Sequence, residues 1–144
     1  MIHLTKLNLI IGFSSIILAA CGGAFVANEL TQNFVLKLLE QNQSWYLTML
    51  KSAHGHTNLF GILHILLGLT LSHSGSSLKI KKLQTLFLFL GTLAMGLGLL
   101  LQGFTPATGS INILSVIIGT CLGLSLVSLA SHLYGIMMKT KNLG

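Results

Sequence analysis

Apolar positions fall into four long blocks, near 7–26, 53–72, 83–104 and 111–138, and none of these contains Asp, Glu, Lys or Arg. Crossing the hydrocarbon of a bilayer takes roughly 20 apolar residues in a helix. Each block meets or nearly meets that length. Helices are the required form, because lipid offers backbone N–H and C=O groups no outside partner. The polar intervals fit this division. Ser74-Gly75-Ser76-Ser77 reads as the turn between the second and third helices, and Thr105 to Ser110, with Pro106, as the turn between the third and fourth. The longest interval, Asn28 to Lys51, contains Phe34-Val35-Leu36-Lys37-Leu38-Leu39-Glu40, which predicts a short amphipathic helix on the membrane surface near 33–41. Trp45 and Tyr46 then sit where an aromatic belt belongs. The second block has the softest boundary, since Trp45 to Lys51 can continue its helix outward. The pattern predicts an all-α, integral membrane, up-and-down four-helix bundle, a single transmembrane domain over residues 1–144.

Composition supports this picture. Charged residues make up 7% of the 144, against about a quarter in soluble domains. No water-facing surface can be built from so few, so the expected main partner is the lipid bilayer. The net charge of +6 is not a nucleic-acid signal, because arginine and aromatic interleaving are both missing. Lys6, Lys79, Lys81, Lys82, Lys139 and Lys141 all fall in segments that share one side of a four-span chain. The other side holds Lys37 and Lys51 beside Glu29 and Glu40. Lysines mark the cytoplasmic face. The expected location is a bacterial inner (cytoplasmic) membrane, multi-pass, with both termini cytoplasmic.

Small residues indicate which helix faces meet. Gly61, His64 and Gly68 form a stripe on the second helix, and Gly91, Met95, Gly98 and Gln102 form one on the third. Gly119-x-x-x-Gly123 on the fourth is a close-approach pattern. All three should point at neighbouring helices. Cys121, Ser125, Ser128 and His132 also share one face of the fourth helix, expected to look inward. Cys21 and Cys121 read as small buried hydrophobes. Leu18-Ala19-Ala20-Cys21 has the form of a lipoprotein cleavage box, but three further spans and a single n-region lysine favour a retained helix.

The candidate chemistry lies in the histidines. His3 and His73 sit at membrane edges, whereas His54, His56, His64 and His132 lie within or at the rim of apolar blocks, where ionisable groups are costly and mark sites. The chain has no aspartate, so no Ser-His-Asp set can be assembled. It also lacks the Cys-x-x-Cys clusters of structural zinc. Haem iron, copper or a proton relay remain. His54 and His56 open the second helix, and residues two apart face nearly opposite ways. With Asn58, Gln102 and Glu29 they outline an outer polar level. His64 and His132 outline an inner one. Helix rise puts them roughly 14 and 10 Å from the inner ends of their helices, so facing imidazoles there could clamp a haem.

The run Ala53-His54-Gly55-His56-Thr57-Asn58-Leu59-Phe60-Gly61, with Gly23-Ala24-Phe25 and Glu29, resembles the small four-helix bacterial membrane proteins related to the subunit I fold of haem-copper oxidases and nitric oxide reductases. The resemblance implies an axial haem ligand at His54 or His56. The family places a further histidine near the middle of its fourth helix, where this chain has Gly123, and the copper-ligand histidines have no counterpart. The expectation is therefore a membrane protein binding b-type haem, or less readily copper at His54 and His56, for electron transfer or gas sensing. A cofactor-free subunit of a homo-oligomer or larger membrane complex is the alternative, and a transporter or proton conductor a third. Whether the chain catalyses a reaction is left open by these residues.

Overall fold

The computed structural model describes residues 1–36, 41–106 and 111–141, and its architecture is all-helical. Four long helices follow one another: α1 (Ile2–Leu36), α2 (Gln41–Thr70), α3 (Leu78–Gly103) and α4 (Ile113–Lys141). Three of them, α1, α3 and α4, are long and apolar enough to cross a membrane. α2 has the length but is diluted by His54, His56, Asn58 and His64, and it is the helix that packs on both α1 and α3. α1 lies along α2, α3 lies along α4, and α2 joins the two pairs.

Both α1 and α2 exceed their apolar blocks. α1 continues to Leu36 and α2 begins at Gln41, carrying Trp45 to Lys51 as part of the same helix. Of the surface helix expected near 33–41, residues 33–36 belong to α1 and Gln41 begins α2, while 37–40 lie outside the described residues. So do residues 107–110 of the expected second turn. Spacing explains the extension. Val26 and Leu30 on α1 pack with Tyr46, Leu47 and Leu50 on α2 and with Leu100 on α3, so the apolar stripe outlasts the hydropathy block. Asn28 and Gln32, on the other face, are exposed.

The main core joins α2, α3 and α4 through Phe60, Leu67, Leu71, Leu88, Ala94, Met95 and Ile118. Close helix approach is the packing mode that serves helices in a bilayer, where apolar side chains gain little by leaving the solvent, and the bundle has it. At the α1–α2 crossing, a Cβ on Gly12 would stand 2.7 Å from the Gly61 carbonyl oxygen, and one on Gly61 would stand 2.9 Å from that of Gly12. At the α3–α4 crossing, a Cβ on Gly91 would overlap Ser125 Oγ and meet Phe60 at 2.7 Å. Residues Ala94–Gly98 of α3 form a π-helical turn. Such turns are rare and frequently border functional sites.

Candidate functional site

Around His64 the bundle is tied together by polar side chains. Asn8, fully buried on α1, donates through Nδ2 to the Leu4 carbonyl and to Thr85 Oγ1 on α3, both at 2.9 Å. Thr85 passes its own proton to the Lys81 carbonyl at 3.1 Å. Asn8 Oδ1 is therefore an acceptor, and at 2.7 Å it takes the proton of His64 Nδ1. This fixes the tautomer, because a hydrogen bond at one ring nitrogen decides the state of the other. Nε2 keeps a lone pair, is buried and has no hydrogen-bond partner. The Leu88 carbonyl lies beside the ring and already accepts from Thr92 Oγ1 at 3.0 Å.

His132 occupies a second network at the same end. Thr70 Oγ1 donates to the Leu66 carbonyl at 2.6 Å, so it accepts from His132 Nε2–H at 2.8 Å. Nδ1 faces the Gln84 side-chain amide at 3.3 Å, and that amide also bonds Ser131 Oγ at 3.0 Å. A neutral ring requires the amide to turn its NH2 toward Nδ1, leaving its carbonyl to accept from Ser131; the partners stay the same either way. Both nitrogens of His132 are thus engaged. The stripe Cys121, Ser125, Ser128 and His132 does look inward, with Ser125 and Ser128 donating to the Phe87 and Gln84 carbonyls of α3 at 3.0 and 2.8 Å. His64 and His132 face separate networks and clamp four helices.

His54 and His56 also part company. His56 Nδ1 turns back to the Ser52 carbonyl of its own helix at 2.8 Å. His54 crosses to α1, where Nδ1 lies 2.9 Å from the Ala19 carbonyl. A carbonyl can only accept, so Nδ1 carries the proton and Nε2 keeps a lone pair. The ring packs on bare backbone: a Cβ on Gly23 would meet His54 Cε1 at 2.8 Å. His54 lines a cleft of about 860 Å³ between α1, α2 and α3. Apolar side chains such as Ile11, Leu18, Phe25, Phe89 and Leu100 form most of its wall. Its hydroxyls come from Ser14, Ser15, Tyr46, Thr57 and Thr92, and Gly96 and Leu97 of the π-helical turn border it. Pockets that enclose small ligands run from roughly 300 to 1,000 Å³ and combine apolar walls with a few polar groups.

The remaining members of the expected outer level go elsewhere. Gln102 accepts at its backbone carbonyl from Trp45 Nε1 at 3.2 Å and bonds Thr105 through its side chain at 3.1 Å. Asn58 donates to the His54 carbonyl within α2 at 3.4 Å. Among the described residues, no three of His, Cys, Asp and Glu gather around a common point. One expectation about helix packing is overturned. Gly119 and Gly123 are exposed, and a Cβ on either would meet nothing within 4 Å. Two residues on a helix turn 200°, so a helix that directs Cys121 and Ser125 inward must direct Gly119 and Gly123 outward. Cys21 is exposed on α1, Cys121 is half-buried on α4, and both are free thiols.

Fold and site together define a helical bundle in which three helices are long and apolar enough to cross a membrane, with a polar clamp near the lysine-bearing end and an apolar cleft lined by one oriented imidazole. Comparison with protein-family models, curated proteins and solved structures finds no match for the chain.

Proposed function

We propose that the protein sits in a bacterial inner membrane with its lysine-bearing end and both termini in the cytoplasm, and binds b-type haem with His54 as the iron ligand. The observation that carries this is the oriented His54 ring, whose Nδ1 is held by the Ala19 carbonyl, which leaves the lone pair to Nε2, on a residue that lines an 860 Å³ apolar cleft. A ligating histidine commonly donates its other ring N–H to a carbonyl, which fixes its tautomer and orientation. The donor set suits haem better than copper. A porphyrin brings four nitrogens and needs one axial imidazole, whereas copper would need several protein ligands in one place. Haem would supply reversible redox and gas-binding chemistry at iron. The chain's own part is to orient one imidazole and keep water out with apolar walls. With one such imidazole at the cleft, bound haem would serve gas sensing better than electron transfer between paired histidines.

The test is an absorption spectrum of the detergent-purified protein expressed with haem precursor, oxidised, dithionite-reduced and then exposed to carbon monoxide. A reduced Soret band that shifts with carbon monoxide is expected, lost in His54→Ala and kept in His56→Ala, His64→Ala and His132→Ala. Loss of colour in the His64 or His132 variants alone would move the ligand to the lysine-bearing end. A colourless wild-type protein would sink the haem reading.

The outward Gly119 and Gly123 favour one second reading, a cofactor-free subunit whose α4 packs on another chain. Its mark would be a colourless protein that runs as a complex in mild detergent and dissociates in Gly119→Leu and Gly123→Leu.

A further inference from the structure

The lysine-bearing end contains a buried cation with a poor partner. Lys81, in the first turns of α3, is only 6% exposed. Its aliphatic stem is packed away, and its ammonium sits at the rim beneath the Met1 side chain, bonded to Met1 Sδ at 3.8 Å. A thioether is a weak acceptor for an ammonium. Lys139 of α4 stands close enough for the two charges to repel each other. Its Nζ donates to the Ser72 carbonyl at 2.7 Å. The turn that leads into α3 also seats the end of α4: Gly75 N–H donates to the Gly135 carbonyl at 2.8 Å, and a Cβ on Gly75 would lie 3.4 Å from Lys139 Cβ. Among the described residues, no acidic side chain is near to balance the pair. Glu29, the acidic residue within the described part, lies about 40 Å along α1 from Met1 at 1.5 Å per residue.

We infer that the phosphate of an anionic phospholipid is the counter-ion of Lys81 and Lys139, reached by displacing the flexible Met1 thioether. A lipid is the source because the pair stands where α3 and α4, two helices able to cross a membrane, come to their lysine-bearing ends. This rests on the membrane reading and is independent of haem. Lys79 and Lys82 are exposed and provide the control, since they give general attraction to an anionic surface without a built site.

The experiment compares retention of phosphatidylglycerol and phosphatidylcholine by the full chain released from mixed-lipid nanodiscs into native mass spectrometry. A basic residue at an anionic surface contributes a factor of roughly five, so two give a preference of about 30-fold. Lys81→Met and Lys139→Met should each cut the preference about fivefold, and Lys79→Met less than about twofold. Lys139 is exposed, so its variant reports on the site even if Lys81→Met fails to fold. Equal losses in all three variants overturn the inference. So does displacement of phosphatidylglycerol by equimolar inorganic phosphate, which would mark a site for a soluble anion.

Discussion

Replacing Asn8 by leucine tests the polar clamp most directly. The side chain is fully buried, matches leucine in heavy-atom number and branching, and makes two interhelical hydrogen bonds, to Thr85 Oγ1 and His64 Nδ1. Interhelical hydrogen bonds in membranes average about 0.6 kcal/mol, with a maximum near 1.7. A buried donor left without a partner costs about 1–3 kcal/mol. Asn8→Leu loses both bonds and strands His64 Nδ1–H on a ring whose Nε2 is already unpartnered. The expected destabilisation is about 2–4 kcal/mol. His64→Leu strands only Asn8 Oδ1 and should cost about 1–3 kcal/mol. Replacing both residues removes the polar pair outright, and such paired replacement can be nearly neutral. The double variant should therefore be more stable than Asn8→Leu alone. The assay is reversible unfolding in mixed micelles by dodecyl sulfate titration, followed by helical circular dichroism. Costs that add within about 0.5 kcal/mol would mean that the residues are not coupled, and the clamp argument would fail.

The two glycine patterns on α3 and α4 make opposite predictions in the same assay. Gly91→Ala puts a Cβ on Ser125 Oγ and 2.7 Å from Phe60, so a loss of about 1–3 kcal/mol is expected. Gly123→Ala meets nothing within 4 Å and should stay within about 0.5 kcal/mol. Equal effects at the two sites would refute the assignment of helix faces. Ser128→Ala removes one bond from α4 to the Gln84 carbonyl and should cost about 0.6 kcal/mol, measured the same way. A lipid-soluble maleimide should label the exposed Cys21 faster than the half-buried Cys121, read by mass shift of the intact chain, and the reverse order would count against the orientation of α1.

Helix number and rough position were legible because the apolar blocks are long and uncharged. The ends were not, because hydropathy averages over a helix whereas packing follows one face. Val26, Leu30, Leu47 and Leu50 carry the α1–α2 contact through an interval rich in polar residues. The stripes Gly61-His64-Gly68 and Cys121-Ser125-Ser128-His132 were readable from spacing, and they meet α1 and α3. The same rule applied to α1 finds Asn8, Gly12, Ser15 and Ala19 at steps of four, three and four, all buried. That stripe holds the partners of His64 and His54, and a search centred on histidines passes over it. Gln84 and Thr85 carry no signal beyond being polar within an apolar block. The outward turn of Gly119 and Gly123 was implied once the Cys121 stripe faced inward, since positions two apart cannot share a face.

Four histidines in apolar segments suggest one shared purpose, and the hydrogen bonds divide them instead. A buried imidazole has two nitrogens to satisfy, and where each goes decides what the ring can do. His132 spends both on Thr70 and Gln84, which leaves it a structural link. His56 is held by its own helix. His64, His54 and His56 share a form, with Nδ1 bound to an oxygen and a lone pair at Nε2, yet their surroundings differ. The lone pair of His64 is sealed among packed side chains, whereas His54 borders 860 Å³ of apolar space beside a π-helical turn. A ligand needs both a donor atom and room to approach it. Of the four, His54 is the ring that lines this cleft, and its Nδ1 bond leaves the lone pair to Nε2, so the haem experiment turns on this residue.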